Sequence, residues 1–313
     1  MSGPSPSFWL PEAASTGAAQ VDAGWNLVLW ISAFFFVLVV GAMAFFVIRY
    51  RRKSESEFPD APNHNTRLEI VWTVIPIAIV IGLFTVGFRG FLDEAVAPAD
   101  SMDIYVTAER WMWTFTYPNG STAVNELHVP LGRPVKLIMS SKDVIHSFFV
   151  PEFRLKKDAV PNSYTTLWFE PTKVGEMTIE CAEYCGTGHS AMYGKLTVME
   201  PKDFEEWLSS GGEEKGLSPV VEGQKLSERL ACNTCHSADG SAKTGPTWKG
   251  LYGHKVELAD GKSVIADEAY LRESITDPNA KLVKGYQPLM PVFKGLVTQK
   301  QLDAMVAYIK TLK

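Results

Sequence analysis

The chain has 313 residues, a length that allows two or three domains. Its hydrophobic content of 46% would suit a soluble protein, but the apolar residues are concentrated in a few stretches. A formal net charge of -5 argues against nucleic acid as a partner, because binding to phosphates needs an excess of Lys and Arg.

Two apolar stretches within residues 25–90 predict a transmembrane helical hairpin. The first, residues 25–48, contains no charged residue and as a helix is long enough to cross a bilayer with some tilt. The second is predicted over residues 70–88, with a kink at Pro76. Residues 1–24 show no basic segment followed by an apolar core, so they are interpreted as an external tail rather than a signal peptide.

The loop after the first span carries a basic cluster, namely Arg49, Arg51, Arg52 and Lys53. Lys and Arg in short loops mark the cytoplasmic side of a membrane protein. This loop is therefore predicted to be cytoplasmic, with both termini and the downstream domains on the outer side.

Residues 101–200 predict an all-β domain, because short runs rich in Val, Leu and Ile alternate with Pro, Gly and Asn. Four aromatic residues at every second position fall on one face of a strand: Trp111, Trp113, Phe115 and Tyr117. Such a stripe is usually core, and Phe115 and Tyr117 are predicted to be core residues.

The segment Cys181 to Met192, called the copper loop below, carries the pattern C-x-x-x-C-x-x-x-H-x-x-M. Thiolate and thioether sulfur combined with imidazole nitrogen is a ligand mixture that suits copper. His146 follows a run of alternating apolar residues that predicts a strand, and it offers a second imidazole. Two Cys, two His and a Met exceed the ligand set of one blue-copper ion, so the pattern indicates two metal ions.

A disulfide or a structural zinc site would also use these residues. Cys181 and Cys185 could pair on the outer side of a membrane, and two Cys with two His could hold zinc. Neither alternative explains Met192, or the glycines at 186 and 188 that let backbone approach a ligand closely.

Residues 201–217 are predicted to form a linker, with a short helix at 204–208 before a run rich in Ser and Gly. Residues 218–313 are predicted to form an α-helical unit. Its closing helix carries apolar residues at helical spacing, namely Leu302, Met305, Val306 and Ile309.

This last unit contains Cys232-Asn233-Thr234-Cys235-His236, and C-x-x-C-H is the attachment motif of c-type haem. Cys232 and Cys235 would form thioethers to the porphyrin, and His236 would bind the iron. Met290, flanked by prolines, is the predicted sixth ligand, and His/Met ligation suits electron transfer. A zinc knuckle or a chance match is the alternative. All four cysteines of the chain are then assigned, which leaves none for a disulfide.

Together these motifs resemble subunit II of the haem-copper cytochrome c oxidases, with a class I cytochrome c domain at the C-terminal end. The resemblance is carried by the copper loop, by residues 146–151 and by residues 157–161. It implies a cupredoxin-like fold that holds a dicopper centre called CuA. Its implied ligands are the bridging Cys181 and Cys185, the imidazoles of His146 and His189, the thioether of Met192 and the backbone carbonyl of Glu183.

The resemblance implies three further roles. The Glu183 carboxylate would help to hold a magnesium ion at the interface with subunit I. Trp111 would be the point where electrons enter CuA, and Glu69, just before the second span, would lie at the mouth of a proton channel. An ordinary interfacial carboxylate is the alternative for Glu69.

The sequence thus predicts a multi-domain membrane protein with a transmembrane hairpin, an all-β cupredoxin-like domain and an all-α cytochrome c domain. The resemblance implies an electron-transfer subunit of a terminal respiratory oxidase in a bacterial inner membrane. Haem c would receive electrons and pass them to CuA, and then to subunit I, which reduces oxygen to water and translocates protons. Other oxidase subunits are implied as partners, with a soluble cytochrome, an iron-sulfur protein or a quinol-oxidising complex as the donor.

Three other functions are compared with this one. A CuA protein of another reductase, such as nitrous oxide reductase, would need a large β-propeller for which this chain has no room. A membrane-anchored copper-binding or copper-delivery protein would need neither the haem motif nor two spans. Quinol oxidase subunits share the fold and the spans but lack the copper ligands that are present here.

Overall fold

The computed structural model describes residues 8–54, 64–210 and 217–313, so parts of the predicted tail, interhelical loop and linker lie outside the described residues. The described residues form a helical hairpin, a β sandwich and a small, mainly helical unit. The helices are α1 (Ala18–Arg49), α2 (Thr66–Ala95), α3 (Pro201–Ser209), α4 (Pro219–Arg229), α5 (Cys232–Cys235), α6 (Glu268–Thr276) and α7 (Gln299–Ile309). The strands are β1 (Met102–Glu109), β2 (Met112–Thr116), β3 (Thr122–Val124), β4 (Glu126–Pro130), β5 (Val135–Ser141), β6 (His146–Val150), β7 (Leu155–Ala159), β8 (Thr165–Phe169), β9 (Gly175–Cys181), β10 (Tyr193–Met199), β11 (Lys255–Glu257) and β12 (Ser263–Ile265).

Helices α1 and α2 are long and apolar enough to cross a membrane, and their most apolar windows contain no buried residue. Both extend beyond the predicted spans, because a helix continues past a charged residue once its backbone hydrogen bonds are formed. α2 begins after Asn65, whose side chain accepts a hydrogen bond from the backbone N–H of Leu68.

The described residues just before α1 pack against the sandwich. Ala14 donates its backbone N–H to Glu152 and accepts one from Thr172, both at 2.9 Å. At the start of α1, the carboxylate of Asp22 forms a 2.7 Å ion pair with Arg154, and both side chains are largely buried. These contacts hold the sandwich against the start of α1.

The sandwich consists of two five-stranded sheets, ordered β3-β2-β1-β5-β8 and β4-β10-β9-β6-β7. Pairs β1–β5 and β4–β10 are parallel, and the other neighbours are antiparallel. Side chains alternate between buried and accessible along β1, β5 and β9, as expected when one face of each sheet covers the core. Phe115 and Tyr117 lie in this core, which confirms their prediction. The domain is cupredoxin-like.

The C-terminal unit is built around the crossing of α4 and α7. The predicted apolar face of α7 is buried, and a Cβ added at Gly223 would lie 2.0 Å from the carbonyl oxygen of Ala304. Only glycine permits this close approach. The strands β11 and β12 form a short antiparallel hairpin that an all-α prediction does not include.

The C-terminal unit lies against the sandwich at the start of β2 and the end of β3. Met112 and Val124 of the sandwich are buried in one apolar cluster with residues of the C-terminal unit. Beside this cluster the Asn125 amide donates to the Arg229 carbonyl at 3.0 Å, and the Arg229 guanidinium lies 3.4 Å from Glu126. The two domains therefore share an apolar contact with a polar rim.

Candidate functional site

Strand pairing brings the two parts of the predicted copper site together. β6 and β9 are antiparallel neighbours in which Phe148 is paired with Cys181. His146 lies two residues before Phe148, so its side chain shares a sheet face with Cys181. The loop then returns, and the backbone N–H of Cys181 donates to the Met192 carbonyl at 3.2 Å.

The imidazole and the two thiols form a compact cluster of donor atoms. The ligand atoms of His146, Cys181 and Cys185 all lie within 4.8 Å of one another. The Cys181 and Cys185 sulfurs are 3.8 Å apart, far beyond the roughly 2.05 Å of a disulfide bond. Both thiols are free in the structure.

The other predicted ligands surround this cluster. Nδ1 of His189 lies 3.6 Å from the Cys185 sulfur, and the Met192 sulfur lies 3.7 Å from it on the buried side. The backbone carbonyl oxygen of Glu183 lies 3.3 Å from the Cys181 sulfur. This mixture of thiolate, imidazole and thioether donors fits copper rather than calcium or magnesium.

Asp143 orients His146 and was missed by sequence reasoning. Its Oδ1 lies 2.8 Å from Nε2 of the buried imidazole, so Nε2–H donates and Nδ1 is left facing the Cys181 sulfur. Burial alone would raise the pKa of Asp143, but hydrogen bonds from His146 and from backbone N–H groups lower it. A carboxylate three residues before a candidate ligand, in a short loop between strands, was the available signal.

The electrostatics of the cluster favour one thiolate before any metal binds. Burial would raise the pKa of Cys181, but hydrogen bonds from His146 and the backbone lower it to about 6. Burial, together with the neighbouring Cys181 sulfur, raises the pKa of Cys185 to about 12. A cation is therefore needed to hold both sulfurs as thiolates.

A second site is formed by a cavity of about 430 Å³ in the C-terminal unit. Its lining includes all four predicted haem residues, namely Cys232, Cys235, His236 and Met290. Most of the other lining side chains are apolar, among them Trp248, Leu271, Ile275 and Phe293. An apolar cavity with two thiols, an imidazole and a thioether on its walls fits a covalently attached haem.

His236 is held in an orientation suited to binding iron. Its Nδ1 lies 2.7 Å from the carbonyl oxygen of Pro246, so Nδ1–H donates and Nε2 is left as the ligand atom. The ring stacks on Trp248 with 5.1 Å between ring centroids. A Cβ added at Gly245 would lie 2.9 Å from the imidazole, so glycine is required beside it. Gly245 and Pro246 had no sequence signal of their own.

Trp111 lies between the two sites. A Cβ added at Gly188 would lie 2.4 Å from Cδ2 of Trp111, so the indole packs directly on the backbone of the copper loop. The same residue lines the haem cavity and is only partly exposed. Its indole nitrogen is buried without a hydrogen-bond partner within the described residues.

The predicted side-chain roles of Glu69 and Glu183 involve neither group of donor atoms. Glu69 is in the first turn of α2, where its carboxylate accepts a hydrogen bond from the backbone N–H of Asn65 at 3.1 Å. This contact stabilises the helix start. The side chain of Glu183 is exposed on the copper loop.

The two apolar helices, the cupredoxin-like sandwich and the C-terminal haem-type unit define a membrane-anchored redox protein with a cytochrome c domain. Family models match all three parts: the cytochrome c oxidase subunit II transmembrane domain over residues 5–89, its periplasmic domain over residues 122–198, and cytochrome c over residues 220–313. The chain is 32% identical over 302 residues to cytochrome c oxidase subunit 2 of Alkalihalophilus pseudofirmus, covering 92% of this chain and 86% of that protein. The chain belongs to the cytochrome c oxidase subunit 2 family, and it is thus a subunit of an oxidoreductase.

Other relatives match a smaller share of this chain. Cytochrome c oxidase subunit 2 of Thermostichus vulcanus is 36% identical over 262 residues, covering 64% of this chain and 80% of the relative. The alternative cytochrome c oxidase subunit 2 of Bradyrhizobium diazoefficiens is 31% identical, covering 68% of this chain and 87% of the relative. Among solved structures, the periplasmic domain of subunit II of cytochrome oxidase from Bradyrhizobium japonicum is 28% identical, with a TM-score of 0.36, covering 37% of this chain and 96% of that one.

Proposed function

We propose that this chain accepts electrons on a covalent haem c and passes them to a dicopper CuA centre and on to subunit I of a terminal oxidase. Subunit I would then reduce oxygen to water and translocate protons. The observation that carries the proposal is the position of Trp111, which packs on the copper loop and also lines the haem cavity. When bound, the haem and the copper pair supply one-electron redox chemistry, and no bond need be made or broken.

The roles of the site residues follow from their positions. Cys232 and Cys235 would anchor the haem, while His236 and Met290 would bind its iron, a ligand pair that suits electron transfer rather than oxygen binding. Trp111 would provide the aromatic contact across which the electron reaches the copper loop.

The copper ligands would be held before metal binding. Cys181 and Cys185 would bridge the two coppers, with His146, His189, Met192 and the Glu183 carbonyl completing the set. Because strands β6 and β9 position His146 and Cys181, little rearrangement is needed on binding or on electron transfer.

The membrane arrangement is part of the proposal. The basic residues after α1 would lie in the cytoplasm of a bacterium, with the copper and haem domains outside the inner membrane. The exposed Glu183 carboxylate would be free to bind magnesium at the interface with subunit I. Glu69 would lie at a proton-channel mouth, and an upstream cytochrome, iron-sulfur protein or quinol-oxidising complex would reduce the haem.

The proposal is tested on the full chain in detergent by metal analysis and electron paramagnetic resonance. Two coppers and one covalent haem per chain, with one unpaired electron shared equally by two copper nuclei, are expected. Photoreduction of the haem should then be followed by copper reduction within the same chain, at a rate independent of protein concentration. One copper per chain, or zinc in place of copper, would overturn the assignment of the copper loop.

A further inference from the structure

Arg110 is placed where the two redox sites meet. It precedes Trp111 and, with Trp111 and Met112, forms the part of the haem cavity wall that the sandwich contributes. Among the described residues, it is the one cation that the sandwich provides to this wall.

One side of Arg110 is bound to the copper site through Asp143. The backbone N–H of Arg110 donates to Oδ2 of Asp143 at 2.9 Å, and its Nε lies 3.6 Å from the same oxygen. The other oxygen, Oδ1, accepts the 2.8 Å hydrogen bond from His146. One carboxylate thus bridges Arg110 and the imidazole of a candidate copper ligand.

The other side of Arg110 has no partner within the described residues, because its two terminal nitrogens form no hydrogen bond there. Its side chain is 43% exposed, so the pair with Asp143 contributes little to folding stability. The helical unit also lines the cavity with three lysines: Lys255, Lys281 and Lys284. Lys281 and Lys284 pair with Glu273 and Glu257 of their own unit. Lys255 also acts electrostatically on Glu257. A guanidinium edge that is free at a cavity wall is suited to bind a carboxylate.

We infer that Arg110 is a positioning residue shared by both redox sites: it holds Asp143, which orients His146, and its free guanidinium edge pairs with a carboxylate of the haem. This inference rests on the proposed function, because it requires haem in the cavity and copper at the loop. It gives the contact between the domains an electrostatic role in addition to its apolar packing. The positive charge of Arg110 would stabilise ferrous haem relative to ferric haem, because ferrous iron carries one positive charge less.

The test compares Arg110→Gln, Arg110→Lys and a matched control, Arg133→Gln, in the full metal-loaded chain in detergent. Arg133 forms a comparable exposed pair with Glu205 at 4.0 Å and does not line the cavity. Two signals are measured: the haem midpoint potential by optical redox titration, and the copper hyperfine pattern by electron paramagnetic resonance.

Arg110→Gln is expected to lower the haem potential. It keeps the backbone hydrogen bond to Asp143 but removes the 3.6 Å contact of Nε, so a smaller change is expected in the copper hyperfine pattern. Arg110→Lys should keep the haem potential near that of the unsubstituted chain, because the charge is retained. Arg133→Gln should leave both signals unchanged. If Arg110→Gln shifts only one signal, or neither, the shared role is overturned.

Different results would refute the proposed function and the role of Arg110. An unsubstituted chain that lacks covalent haem or a two-copper signal refutes the proposed function before any variant is compared. An unsubstituted chain that shows both, together with an Arg110→Gln variant that matches it in both signals, refutes only the role of Arg110.

Discussion

Replacing Gly188 by Ala is expected to displace the Trp111 indole from the copper loop. The new Cβ would lie 2.4 Å from Cδ2 and 2.6 Å from Cε3 of Trp111. Ordinary carbon contacts are about 3.5–4.0 Å, so the overlap is roughly 1.1–1.6 Å. Gly188 has a φ of -90°, which any residue can adopt, so the substitution tests the contact rather than backbone strain.

The loss of folding stability depends on how far the indole can move to relieve the overlap. Cδ2 belongs to the rigid ring system, and the ring lies between the copper loop and the haem cavity, so relief requires movement of the loop or of the whole side chain. Overpacking of this kind costs about 1–3 kcal/mol. For a domain of this size the apparent Tm should fall by roughly 4–8 °C per kcal/mol. Haem-to-copper electron transfer should also be slower.

Both effects are measured on the full chain in detergent, by thermal unfolding followed by fluorescence and by photoreduction of the haem. Gly87→Ala is the control, since an added Cβ there would meet nothing within 4 Å. The double variant Trp111→Leu with Gly188→Ala should be more stable than the sum of the single effects predicts. A Gly188→Ala variant with unchanged Tm and unchanged transfer rate would refute the proposed packing of Trp111.

Three further predictions concern other parts of the chain. Burial, and next the positive charges of Arg229 and Lys195, lower the pKa of His128 to about 4. The unfolded chain therefore binds a proton at a higher pH than the folded chain does, so about 3 kcal/mol of stability should be lost as the pH falls from about 6.5 to 4. A pH titration of unfolding should show this loss, and His128→Gln should remove it; an unchanged pH profile would contradict the argument. Gly223→Ala should destabilise the helical unit by about 1–3 kcal/mol, measured as loss of haem absorbance on heating, whereas an unchanged transition would exclude the tight helix crossing. Met290→Ala should lower the haem potential and open the iron to added imidazole, and an unaltered spectrum and potential would point to another sixth ligand.

Local motifs could be identified from the sequence because their donor atoms are separated by only a few residues. The copper loop from Cys181 to Met192 and the C-x-x-C-H segment each carry several candidate ligands within about a dozen residues, so spacing and residue chemistry were sufficient. The two apolar spans and the apolar face of α7 were also predictable, since a membrane or a core selects residues at every position of the element. His146 was found because it follows a strand pattern, although its partner Cys181 is 35 residues away.

The tertiary structure decided how these motifs combine. No spacing rule places Asp143 behind His146, or Pro246 behind His236, because a single carboxylate or carbonyl has no pattern until strands and loops bring it to an imidazole. Trp111 was recognisable as one of four alternating aromatic residues, but only the docking of the helical unit against the sandwich places it between the two sites. Ligand identity is thus a property of short segments, whereas the contact between the copper and haem domains depends on packing between residues more than a hundred positions apart.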